Sequence, residues 1–324
     1  MRNSNEYGNV TSSATYLATW RLAFCSLNIP LSITASLGNI LILIALRGVT
    51  SLHPPTKLLF QCLAITDLGV GLTSQPLFSI YHLFYLTNSK RQSVIAILNV
   101  VRWDLTIIFC AVSMFTSTAL SVDRLLAQLL GLRYRHVVTL KRVRVVVFSF
   151  WLIAVLCVFM FLFWKKNIAL ATSTVLALLS VIISLLSYTI IFIRLRLHQG
   201  CVQHNTHREK PNRGVGISFN VARYKKTVAS IALVQLAFVV CYVPFAFVLV
   251  IALLNDGHIT STNFILGSFA TILVYLDSSL NPLLYCWRIK EVRQAVKATI
   301  RHFYCSCLSC SCFKPGRSIN EETV

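Results

Sequence analysis

Seven apolar blocks dominate this chain, at roughly 22–46, 58–84, 94–122, 143–164, 168–195, 227–254 and 263–286. A bilayer's hydrocarbon core takes about 20 helical residues to cross. Backbone inside it must satisfy its own polar groups, so such blocks predict transmembrane helices. The expected fold is an all-α integral membrane protein, a seven-transmembrane helix bundle. Only Lys165, Lys166 and Asn167 separate the fourth and fifth blocks, a very tight turn. Composition agrees, with 56% hydrophobic and 12% charged residues among 324 and a mean hydropathy of +0.70; a soluble domain carries about 25% charge. No internal repeat is visible, and seven spans without matching halves argue against the usual transporter construction.

The net charge of +20 in a soluble protein would raise nucleic-acid binding. Here the basic residues report topology instead. With the N-terminus outside, two Lys/Arg fall in the first inner connection, six in the second, eight in the third and seven after the last span, or 23 of 30 on the inner side. Positive residues accumulate on the cytoplasmic side, which selects this orientation and a multi-pass protein of the plasma membrane with no nucleic-acid partner. Asn9-Val10-Thr11 is then a glycosylation sequon on the outer side. The first 20 residues are polar and show no cleavable signal, so the first span is expected to direct insertion.

Four segments follow: an extracellular tail over 1–21, the bundle over 22–286, an amphipathic segment over 287–303 and a cytoplasmic Cys-rich tail over 304–324. Trp287, Val292, Val296, Ile300 and Phe303 fall largely on one face of the third segment, which predicts a helix lying on the inner membrane surface in contact with lipid. The longest loop, about 196–222, reads as a flexible cytoplasmic connection. Most of the 11 cysteines lie in or beside spans and none in an outer loop, so no disulfide framework is expected. Cys305, Cys307, Cys310 and Cys312 cluster after the surface helix. Four thiolates can bind zinc, but juxtamembrane cysteines beside a basic amphipathic helix favour acylation.

Polar residues inside the blocks carry the functional signal. Asp67 sits within Leu63-Ala64-Ile65-Thr66-Asp67-Leu68; a carboxylate at mid-depth costs on the order of 3 kcal/mol and belongs in the bundle interior. Ser113, Asp277, Ser278 and Asn281 could converge on it. These oxygen ligands suit sodium; the alternative is a hydrogen-bonded core network with Asp67 protonated. Arg102, Thr106, Ser113, Ser117, Ser121 and Arg124 make a stripe on the third span, close to one face. Asp123-Arg124 ends it, either as a charge lock between helices or as an interfacial anchor. Pro76, Pro244 and Pro282 break backbone ladders and are hinge or static-kink positions. Tyr242 precedes the second kink. Tyr188 and Tyr285 could meet through a water when the sixth span moves, or be ordinary interfacial aromatics.

Taken in order, the motifs resemble those of rhodopsin-like (class A) G-protein-coupled receptors over about 22–303. They are Gly38-Asn39, Leu63-Ala64-Ile65-Thr66-Asp67, Asp123-Arg124-Leu125, Trp151, Cys241-Tyr242-Val243-Pro244 and Asn281-Pro282-Leu283-Leu284-Tyr285. The resemblance implies that ligand binding drives nucleotide exchange on a heterotrimeric G protein, with arrestin as a further partner and no enzymatic chemistry. It implies that Arg124 contacts the G protein and that Tyr188 and Tyr285 stabilise the open form. It also implies that Asp67, Ser113 and Asn281 hold sodium as an allosteric modulator, with no cofactor required.

The departures matter. Asn99 stands near the place of the family's span-three cysteine, and the second outer loop has no Cys, so no disulfide forms there. The fifth span lacks proline. These absences, with the tiny second outer loop, resemble the melanocortin, lysophospholipid and cannabinoid receptors, and Tyr285-Cys286-Trp287-Arg288-Ile289-Lys290-Glu291-Val292-Arg293 also resembles melanocortin and adenosine receptors. Tyr242 replaces the usual Trp, Leu125 the usual Tyr and Asp277 the usual Asn. Two close carboxylates do not ionise together readily without a cation. By the same resemblance, Arg102, Thr106, Cys110, Tyr242 and Tyr275 are the ligand-pocket candidates. Thr106 stands where amine receptors carry Asp, and Leu77 and Trp103 replace two of the acids that melanocortin receptors use. Asp104 lies about 200° around the helix from Arg102. Arg102 matches a cationic position of lysophospholipid and cannabinoid receptors, so an anionic or lipid-like ligand leads, with a short peptide also considered.

A small-solute or cation transporter or channel is the competing class, since Asp67 and Asp277 would serve a cation path. A retinal light sensor needs a Lys in the seventh span; 263–286 has none, with Tyr275 near the expected place.

Overall fold

The computed structural model describes residues 2–50, 52–87, 91–163, 166–206, 236–255, 261–288 and 292–301. Helices are α1 (Arg2–Gly48), α2 (Pro54–Gly69), α3 (Gln75–Thr87), α4 (Gln92–Leu130), α5 (Tyr134–Val137), α6 (Leu140–Phe163) and α7 (Lys166–Thr206). They continue with α8 (Leu236–Leu254), α9 (Ser261–Arg288) and α10 (292–301). No strand occurs among the described residues.

Among the described residues six helices are long and apolar enough to cross a membrane: α1 from Thr15 onward, α4, α6, α7, α8 and α9. The protein is therefore a multi-span helical membrane bundle. At 16 and 13 residues, α2 and α3 are each too short to be counted with them. A π turn over Val70–Ser74 joins them without a gap, so the helical path runs through 54–87.

Pro76 explains that turn. In a regular α-helix its ring would meet the carbonyl four residues back. The wider turn just before it, in which the Gln75 amide reaches Val70 O, makes room. Carbonyls loosened there are capped from α1: Ser32 Oγ donates to Gly71 O at 2.7 Å and Asn28 Nδ2 to Gln75 O at 2.6 Å. Pro30, Pro244 and Pro282 sit inside helices that continue through them.

α4 is central, packing on α2, α3, α6, α7 and α9, while α1 packs on α2, α3 and α9. The core has two main parts. One, at the Arg21 end, includes Phe24, Phe78, Met114, Phe238, Tyr242 and Tyr275. The other, at the Arg124 end, includes Leu46, Leu63, Leu120, Tyr285, Val292 and Val296. Phe148, Leu152, Phe159 and Phe163 of α6 stay exposed, a surface suited to acyl chains. Hydroxyls within the bundle bond backward along their own helices, as Thr116 Oγ1 does to Val112 O at 2.7 Å, which removes unpaired donors from the apolar interior.

Helix limits exceed the apolar blocks. The segment read as a tail is helical from Arg2, and α7 continues to Thr206 through the start of the segment read as a loop. Leu197, His198 and Gln199 are adequate helix formers, and the first proline comes only at Pro211. In α10 Val292 and Val296 are buried while Ile300 is exposed. The Asn9 side chain, residues 227–235 of the sixth block, Phe303, and Cys305, Cys307, Cys310 and Cys312 lie outside what is described.

Candidate functional site

A polar network occupies the middle of the bundle. Asp67, on α2, is fully buried. Ser113 Oγ of α4 and Ser278 Oγ of α9 donate to its Oδ1 at 2.8 and 2.9 Å. Asn281 Nδ2 donates to its Oδ2 at 2.8 Å and also reaches Asp277 Oδ2 at 3.4 Å. The second oxygen of the bridge, Asp277 Oδ2, accepts from the Tyr242 hydroxyl of α8 at 3.3 Å. Four helices thus converge on two carboxylates. Asn39 of α1 joins the wall by donating to Ser278 O at 3.0 Å. Hydroxyls, an amide and two carboxylates are hard oxygen and nitrogen groups, and the oxygens fit a small hard cation. No group of three or more His, Cys, Asp or Glu suited to a metal occurs among the described residues.

Asp277 and Asn281 also line a cavity toward the Arg124 end, enclosing about 580 Å³ with its open side. Arg124, Ser121, Tyr188 and Tyr285 share its wall. The Arg124 guanidinium lies 5.8 Å from the Phe60 ring centroid. Its neighbour Asp123 is buried, accepting from Thr56 Oγ1 at 3.0 Å and from the Tyr134 hydroxyl. Gly131, at φ 51°, turns the chain so that α5 folds back onto α4; this left-handed conformation favours glycine.

Tyr242 faces a second cavity, of about 710 Å³ with its open side, between α4, α6, α7, α8 and α9. Thr106, Cys110 and Trp103 line it with Phe161, Phe245 and Leu249, a largely apolar wall with few polar groups, as small-molecule sites have. Tyr275 does not line it, but its hydroxyl shares a 2.8 Å hydrogen bond with Thr106 Oγ1. Arg102 does not line it either. Its guanidinium turns toward α3, 4.9 Å from the Tyr81 ring centroid, and donates to Asn99 Oδ1 at 2.8 Å. Asp104 is half-buried and separate from this contact. Cys25, Cys62, Cys110, Cys157, Cys241 and Cys286 are free thiols.

The fold therefore brings together Asp67, Ser113, Asp277, Ser278, Asn281 and Tyr242, and separately Arg124, Tyr188 and Tyr285. It separates Arg102 from Cys110 and Tyr242. Sequence reasoning missed Thr56 and Tyr134 beside Asp123. It also missed Arg21 and His82, whose signal was a cation at the edge of the first apolar block and an imidazole within the second.

The family described as 7 transmembrane receptor (rhodopsin family) matches residues 38–169 and 156–285, a stretch holding every residue of the central network.

Proposed function

Because the chain belongs to the rhodopsin family of seven-transmembrane receptors, we propose that it converts binding of a small extracellular ligand into nucleotide exchange on a heterotrimeric G protein. Family membership itself makes it a receptor and not an enzyme. In this reading 54–87 is the second of seven spans and completes their number, the N-terminus lies outside the plasma membrane, and the apolar cavity beside Tyr242 receives the ligand. Arg124, at the opposite cavity, meets the G protein, and arrestin engages the same face.

The observation that carries the reading is the bonded path between the two cavities. Tyr242 lines one, Asp277 and Asn281 line the other, and Tyr242, Asp277, Asn281 and Asp67 are joined in sequence. A ligand that moves Tyr242 alters the bonding of α9 at once. Pro244, two residues beyond Tyr242, gives α8 a point at which to swing, and Pro282 does the same for α9. A ligand shifts the population only as far as it prefers the swung form. In the resting form Asp67, Ser113, Ser278 and Asn281, with Asp277, hold a sodium ion that stabilises the closed network. Asn9 is glycosylated, 287–303 rests on the inner membrane surface, and the cysteines after it are acylated.

The test is ligand-stimulated GTPγS exchange by the full-length protein in nanodiscs, across G-protein subtypes and a panel of anions, lipids and short peptides. Exchange is expected with at least one pairing and is lost in Arg124→Ala at unchanged surface expression. Ligand-driven exchange that survives Arg124→Ala, or solute flux in proteoliposomes without any exchange, overturns it.

A further inference from the structure

A polar seam joins α1 to the helical path over 54–87. Arg21 Nη1 donates to His82 Nδ1 at 3.1 Å, and the Cys25 thiol donates to Ser79 O at 3.7 Å. Asn28 Nδ2 donates to Gln75 O at 2.6 Å and to Ser79 Oγ at 2.9 Å, and Ser32 Oγ donates to Gly71 O at 2.7 Å. Arg21, Cys25, Asn28 and Ser32 recur at the spacing of one helix face. Gln75, Ser79 and His82 answer them from one face of α3.

The bonding of this seam is incomplete at its middle. Asn28, Ser74 and Gln75 are each 0% exposed. Asn28 Oδ1, Ser74 Oγ and both amide atoms of Gln75 are buried with no hydrogen-bond partner among the described residues. Turning the Gln75 amide over exchanges its two ends and pairs neither. A buried polar atom left unpaired costs about 1–3 kcal/mol, and such atoms are bonded as a rule, to protein or to ordered water.

The unpaired atoms are of both kinds, which decides what can meet them. Gln75 Nε2 only donates, Asn28 Oδ1 and Gln75 Oε1 only accept, and Ser74 Oγ does either. An anion would pair with Nε2 and repel the two acceptors. A cation would do the reverse, with Arg21 only two turns away along α1. The group required is neutral and both donates and accepts. None of the three residues lines either cavity, so a ligand held in those cavities does not reach them. Water meets every condition. The place suits it too, because Pro76 lacks an N–H and the π turn opens the helix just before it, the kind of break at which water inserts.

We propose that Asn28, Ser74 and Gln75 enclose a site for ordered water at the Pro76 break, which completes the hydrogen bonding between α1 and α3. Water there accepts from Gln75 Nε2 and donates to Gln75 Oε1 and Asn28 Oδ1, with the Ser74 hydroxyl as a further partner. A buried water makes about three such bonds, so the site takes more than one molecule. The site stands whether or not the chain signals through a G protein.

Cryo-electron microscopy of the full-length protein in nanodiscs, at a resolution that shows ordered water, tests the site directly. Density is expected within hydrogen-bonding distance of the Gln75 amide and of Asn28 Oδ1. Thermal melting adds a test of sign. Gln75→Met keeps the length of the side chain and removes both amide atoms. From a dry site it would remove two unpaired groups, and the midpoint would hold or rise. From a hydrated site it strands the water and the partners that remain, so the midpoint should fall by a few degrees. The density beside residue 75 should go with it, which a loss of packing alone would not cause. Ser74→Ala is the milder change and should lower the midpoint less. If Gln75→Met does not fold, the wild-type map and Ser74→Ala decide. A dry site in the map, a Gln75 amide bonded directly to protein at both ends, a larger molecule in that place, or either variant melting at or above wild type overturns the proposal.

Discussion

The Tyr242 hydroxyl donates to Asp277 Oδ2 at 3.3 Å, linking the floor of the apolar cavity on α8 to the polar center on α9. Both residues replace what the resembling receptors usually carry at these places. A phenol reaches the carboxylate directly, which makes the coupling between the two helices a matter of one bond.

Tyr242→Phe removes that bond and little volume. It is expected to lower stability by about 1–2 kcal/mol, since Asp277 keeps only the long contact from Asn281. Melting of the purified protein in nanodiscs measures this. In a double-mutant cycle with Asp277→Asn the two effects should be clearly non-additive; additive effects mean that the bond does not form.

Sodium should stabilise the resting network. Exchanging choline chloride for sodium chloride at fixed ionic strength is expected to raise the melting midpoint of the wild type and leave Asp67→Asn unchanged. The amide also sets a donor against those of Ser113, Ser278 or Asn281, which now all point at carboxylate oxygens, so the variant starts about 1–3 kcal/mol less stable. A wild type indifferent to sodium, or equal shifts in both, refutes the ion site.

Close backbone approach at the π turn gives a prediction independent of signalling. A Cβ on Gly71 would stand 2.7 Å from Ser36 Oγ and 2.9 Å from the Ser36 amide nitrogen. The hydroxyl can rotate away but the backbone of α1 cannot, so Gly71→Ala is expected to cost about 1–3 kcal/mol. Gly48→Ala, whose Cβ meets nothing within 4 Å, is the control and should be neutral. Equal melting of the two variants would mean that α1 and the π turn are not in contact.

Much of this was legible because lipid gives polar residues few places to go. Asp67 and Asn281 stand out in apolar runs, and only the bundle interior offers them partners. Hydropathy marks where acyl chains lie and not where hydrogen bonding stops, so the reach of α1 back to Arg2 and of α7 to Thr206 was invisible. Pro76 announced a break, but whether a proline yields a kink or a π turn depends on what caps the freed carbonyls, here Ser32 and Asn28 from another helix. Arg21 was hidden by its place near the end of a span, where a cation ordinarily reaches for headgroups. The Tyr134–Asp123 contact was hidden by the reversal at Gly131, since no helical period relates two residues on either side of a turn.

That contact supports the last prediction. Asp123 has lost nearly all access to solvent, and Thr56 and Tyr134 both donate to it. A carboxylate so held keeps α2, α4 and α5 together next to Arg124. Tyr134→Phe leaves Thr56 as the remaining hydroxyl donor and should lower stability by about 1.5–3 kcal/mol, the range for hydrogen bonds to charged groups. Thr56→Val is expected to act in the same direction, and the double variant should lose more than the sum, because a buried carboxylate without donors carries its full desolvation cost. If the receptor reading is right, loosening this clamp also raises ligand-independent GTPγS exchange, in the order wild type, single variants, double variant. Melting curves and basal exchange on the same preparations check both parts. A double variant as stable as either single one would show that Asp123 is not held by these hydroxyls.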